Sequence, residues 1–122
     1  MFANASNGRR SSSLDERERE ALSLMREHGR HAVAWAREAG SRWTEDPKTV
    51  AAIAHAVGQV GEAARRVSTA TRAAHADVAW AAISGMRNRI YHEYGTLDVA
   101  ILHETVARDL PALLKRLDAM LR

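Results

Sequence analysis

From about residue 14 onward, apolar residues recur at steps of three and four and nowhere alternate in twos. Val50, Ile53, Val57, Val60, Ala64 and Val67 are the plainest run. That spacing follows the 3.6-residue period of an α-helix and puts the six side chains on one stripe. Such a stripe is stable only against another like it, so the pattern excludes a sheet and calls for helices packed on helices.

Four stretches carry the pattern. Ser13 followed by Glu16 has the form of a capping box, and Leu14, Ala21, Leu24, Met25, Ala32, Trp35 and Ala39 then predict a first helix over about 14–39, with Gly40 to Thr44 as its exit. Asp46 and Pro47 open a second helix over 47–70. Asp77 caps a third, in which Trp80, Ile83, Arg87, Ile90 and Tyr94 follow helical steps up to Gly95. Asp98 starts a fourth, with Val99, Leu102, Val106, Leu110, Leu113, Leu117 and Met120 facing inward. Pro111 interrupts its hydrogen-bond ladder and is expected to kink or divide it. The predicted fold is all-α, an up-and-down bundle of four to five helices.

At 122 residues the chain suits one domain, here 13–122, after a polar tail over 1–12 (MFANASNGRRSS) expected to be disordered. The tail lacks the apolar centre of a secretory signal, and no apolar run is long enough to cross a bilayer. Cysteine is absent, which excludes disulfides and thiolate chemistry and agrees with a cytoplasmic location. The net charge of +3 is weak support for a polyanionic partner. All but two of the 18 basic residues are arginine, and acidic residues are interspersed among them.

The stretch that carries chemistry is RNRIYHEYG, residues 87–95. Arg87, His92 and Tyr94 give the pattern R-x4-H-x-Y, preceded by GEAARRVS at 61–68 and followed by ILHETVARDLPALL at 101–114. Together these segments resemble the HEPN superfamily of small helical ribonucleases, in particular the HepT-like toxins of toxin–antitoxin modules. Ala79 before Trp80, where a proline is usual, and His103, where an aromatic residue is common, depart from the family pattern without touching the motif. The resemblance implies a two-fold homodimer with a composite site, an RNA substrate, a minimal nucleotidyltransferase as antitoxin, and Tyr94 as the acceptor of AMP groups added by that partner.

The residues also speak for themselves. Cleavage of RNA without metal uses the 2′-hydroxyl as nucleophile, so it needs a group to remove that proton, one to protonate the leaving 5′-oxygen, and positive charge at the phosphate. Histidine suits the first two tasks because its ordinary pKa lies near neutrality. Arginine suits the third as a permanently charged fork. No metal or cofactor is expected, and the products would be a 2′,3′-cyclic phosphate and a 5′-hydroxyl. Each chain brings one motif histidine, so two would require pairing across a two-fold axis. A five-residue step turns a helix by roughly 140°, so Arg87 and His92 do not share a face, whereas Asn88 and His92 do. The nearby Gly95 predicts His92 in a loosening last turn, where both groups can approach one cleft.

Plainer readings stand beside these. An arginine and a histidine at a helix end also serve as dipole partners, and Tyr91 and Tyr94 also suit a core or a dimer interface. Glu62 either orients Arg87 or His92 or faces solvent beside Arg65 and Arg66. Arg65, Arg66 and Arg72 either line an RNA path or form a solvated face. His28 and His31 lack a third ligand at convincing spacing. The alternative function is a catalytically silent helical subunit that presents substrate to a nucleotidyltransferase partner. A structural dimer whose motif only caps and packs is the remaining possibility.

Overall fold

The structure is a computed structural model and describes residues 14–122. The tail expected over 1–12, and Ser13 of the expected capping box, lie outside the described residues. Helix α1 spans Glu16–Ala39 and is capped by Asp15, whose Oδ1 accepts the Glu18 N–H at 2.9 Å. After a 3₁₀ turn at Trp43–Glu45, α2 spans Pro47–Ala64. Short helices follow at Thr69–Ala74 (α3), Trp80–Ser84 (α4) and Met86–Ile90 (α5). Helix α6, Val99–Glu104, runs through a π-helical turn at Thr105–Asp109 into α7, Leu110–Met120.

Side-chain pairs fix the directions of these elements. Arg66 reaches Glu20 at 3.0 Å and the Ser68 N–H reaches Glu18 at 3.0 Å, so α2 runs antiparallel to α1. Arg26 and Arg30 both pair with Asp118 while Arg19 donates to the Leu121 carbonyl, which sets α7 antiparallel to α1. The pairs Asp77–Arg116 and Arg89–Asp109 set α4 and α5 antiparallel to α7. The result is the expected all-α, up-and-down bundle, with α4 and α5 standing in for one helix.

The core is apolar, with Leu22, Met25, Ile53, Val57, Val60, Ile90, Leu102, Leu110 and Leu117 among its fully buried side chains. All six residues of the Val50–Val67 stripe are buried. Of the expected α1 stripe, Ala21, Met25 and Ala32 are fully buried, while Leu14, Leu24 and Trp35 are half-buried. Leu22, Gly29 and Ala36 also face inward, Ala39 is exposed, and the Trp35 ring is stacked on His31. A Cβ on Gly29 would lie 3.1 Å from Leu114 Cδ2, so this glycine lets α7 approach α1 closely.

Local chemistry moves two helix boundaries and accounts for the expected break in the fourth helix. Helix α2 stops at Ala64 instead of 70 because Arg72 folds back, donating to the carbonyls of Ala64 at 2.8 Å and Val67 at 3.2 Å, while Ser68 caps α3. Arg72 is therefore a half-buried clamp on a helix end. Asp77 pairs with Arg116 instead of capping, and the third helix starts at Trp80, whose indole N–H donates to the His75 carbonyl at 3.0 Å. The fourth helix divides just before Pro111: the Leu110 N–H bonds Thr105, five residues back, and the ladder loosens where proline has no N–H to give.

Gly61 sets the separation between α2 and the motif helices. A Cβ there would lie 2.9 Å from the Ile83 carbonyl oxygen and 3.5 Å from that of Ser84. Since backbone would have to move, Gly61→Ala is expected to cost about 1–3 kcal/mol. Its urea-unfolding midpoint should fall accordingly; an unchanged midpoint would contradict the close approach.

Candidate active site

Helix α5 is anchored by Met86 and Ile90, both buried, and this turns Arg87, Asn88 and Arg89 outward. The Arg87 guanidinium lies 5.1 Å from the centroid of the Tyr91 ring. On its α2 side it passes Gly58, where a Cβ would come within 3.8 Å of Nη1. Tyr91 is half-buried and so serves as a fixed plate beneath a cation.

The helix does not continue to Gly95. Tyr91 turns to extended backbone and forms an antiparallel bridge with Leu97. The His92 N–H donates to the Thr96 carbonyl and the Asp98 N–H to the Ile90 carbonyl, each at 2.6 Å. The chain reverses through two consecutive left-handed residues, Tyr94 at φ 66° and Gly95 at φ 80°. For tyrosine that conformation costs about 1–3 kcal/mol, held here by the bonds on either side.

His92 therefore lies in a loop and not in a last helical turn. The helical argument that paired it with Asn88 does not apply. Its partner is Asp98: Nε2 and Oδ2 are 2.9 Å apart, with the His92 side chain 58% exposed and that of Asp98 22% exposed. The other Asp98 oxygen accepts the Ile101 N–H at 3.0 Å and caps α6 as the sequence predicts. That backbone N–H holds the Asp98 carboxyl below the usual carboxylate range against the effect of burial, and the His92 contact adds to it.

The loop thus joins His92 to Asp98, and in the chain His92 directly follows Tyr91, the plate that carries Arg87. Asn88 is exposed on α5. Glu62 pairs with Arg65 at 3.5 Å and is exposed, in line with the solvent-facing reading and not with orientation of the motif. Arg66 is engaged with Glu20. Tyr94 is fully exposed. Sequence reasoning missed the contact of Asp98 with His92, which a Gly followed three residues later by an acidic helix cap could have suggested. No group of three or more His, Cys, Asp or Glu among the described residues is placed to hold a metal ion. No helix among them is long and apolar enough to cross a membrane.

The profile described as "Ribonuclease HepT-like" matches residues 19–120, from the first turn of α1 through the whole loop to the end of α7. The chain belongs to the HepT-like ribonuclease family of the HEPN superfamily. Among relatives, it is 30% identical over 80 residues to a protein of Caldanaerobacter subterraneus subsp. tengcongensis provisionally named RNase TTE0752, covering 66% of this chain and 71% of that one. It is 32% identical over 68 residues to a protein of Thermococcus cleftensis provisionally named ribonuclease HepT, covering 56% of this chain and 62% of that one. No solved structure is significantly similar.

Proposed function

We propose that this HepT-like protein is a metal-independent endoribonuclease and the toxin of a cytoplasmic toxin–antitoxin module. The observation that carries the reading is an exposed imidazole held by a carboxylate, five residues from an exposed guanidinium seated on an aromatic plate, in a chain of a ribonuclease family. In the proposed reaction one His92 takes the proton of the RNA 2′-hydroxyl, O2′ bonds to phosphorus, and the P–O5′ bond breaks. A second His92, from the other copy of a two-fold dimer, protonates the leaving 5′-oxygen. Arg87 neutralises the phosphate as its charge grows. The proposed partner is a minimal nucleotidyltransferase antitoxin that adds AMP to Tyr94.

The test is cleavage of RNA by the purified protein in excess chelator. The expected products end in a 2′,3′-cyclic phosphate and a 5′-hydroxyl, and light scattering of the same sample should report a dimer. No cleavage by the dimer would sink the ribonuclease reading, and a cleaving monomer would remove the composite site.

A further inference from the structure

A helix cap needs one carboxylate oxygen, and Asp98 uses two. Its Oδ1 is tied to the Ile101 N–H at 3.0 Å, which fixes the carboxylate relative to α6. Its Oδ2 then faces Nε2 of His92 at 2.9 Å. Exposed ion pairs contribute little to stability, so this second contact is poorly explained as a brace for the fold. It is well placed to set the orientation and proton position of the imidazole.

We propose that Asp98 is the positioning residue for His92, holding the Nε2–H and leaving Nδ1 as the nitrogen that exchanges protons with RNA. The inference rests on the ribonuclease reading for its last step only. A carboxylate accepts hydrogen bonds and does not donate them, so the neutral imidazole beside it carries its proton on Nε2. The ionised state of Asp98 is itself favoured by the α6 backbone N–H. The lone pair of Nδ1 is then free to accept the 2′-hydroxyl proton. In the partner copy a doubly protonated ring gives its Nδ1 proton to the 5′-oxygen and keeps Nε2–H on Asp98. Both roles use the same atom, and neither requires the ring to turn.

Asp98→Asn separates the two duties of this residue. Asparagine caps helices as well as aspartate does, so its carbonyl oxygen can keep the Ile101 N–H. The remaining NH₂ can only donate, so it pairs with a lone pair on Nε2 and drives the ring proton to Nδ1. Asp98→Ser keeps a cap and offers nothing to the ring.

Nitrogen-15 NMR of the full-length protein reads the tautomer directly, without reference to activity. The expected result is Nε2–H in the parent protein and Nδ1–H in Asp98→Asn, with equal melting temperatures. RNA cleavage by Asp98→Asn should show kcat lowered about ten- to a hundredfold with KM little changed, and Asp98→Ser should fall between. A parent ring protonated on Nδ1, or an unchanged tautomer in Asp98→Asn, overturns the proposal. So does an inverted tautomer with unchanged kcat. If the tautomer inverts and the parent protein cleaves no RNA, the hold of Asp98 on the ring stands and the ribonuclease reading fails.

Discussion

His92→Ala and Arg87→Ala are each expected to slow RNA cleavage by about two to four orders of magnitude. Both side chains are exposed and make no contact that the core depends on, so folding should survive. Arg87 contributes its stacking on Tyr91, a surface contact worth about 0.5–1 kcal/mol. Circular dichroism and unfolding midpoints near those of the parent protein would place the loss in the reaction. Asn88→Ala should have a smaller effect, because a neutral amide can orient a phosphate without carrying charge or moving a proton. Equal cleavage by the parent and both principal variants would trace the activity to a contaminant.

Tyr94 is expected to accept AMP when the protein is co-expressed with a cognate nucleotidyltransferase. Its side chain is fully exposed and the left-handed backbone presents it away from the helices. Its phenol oxygen would attack the α-phosphorus of ATP, forming a new P–O bond as pyrophosphate leaves and the phenol proton passes to the modifying enzyme. The added phosphates would lie two residues from His92, where they compete with RNA for Arg87 by charge and bulk. Intact-mass spectra should show AMP increments on the parent protein, none on Tyr94→Phe, and RNA cleavage retained by that variant in the presence of the partner. If Tyr94→Phe is modified and silenced like the parent protein, the acceptor lies elsewhere. If no adduct forms at all, silencing works by occlusion.

The parts of this fold legible in the sequence are those governed by apolar periodicity. The Val50–Val67 stripe is buried in full, and Asp98 caps its helix as its position suggests. What periodicity does not encode is competition for backbone groups. Arg72 claims the carbonyls at the end of α2, and Leu97 draws Tyr91 out of the motif helix, so both helices end earlier than their apolar residues imply. The motif residues were legible as residues, and the geometry that relates them was not. Tyr94 occupies a helical step in the sequence but lies in the loop, and His92 meets a carboxylate six residues ahead instead of an amide four residues behind. Glu62 shows the converse, since its local partner is Arg65, three residues on at the end of the same helix, a pairing that needs no tertiary structure.

The connection between α5 and α6 has a consequence for motion. Helix ends ordinarily fray because their last carbonyls and first N–H groups have no partner in the ladder. Here the last carbonyl of α5, on Ile90, receives the N–H of Asp98, the residue that caps α6, and the His92 amide closes on Thr96 just inside. Each helix terminus thereby satisfies a backbone group that the other would leave open. The His92 and Asp98 amide protons are accordingly expected to exchange with solvent more slowly than those of an open linker, which hydrogen-exchange measurement checks.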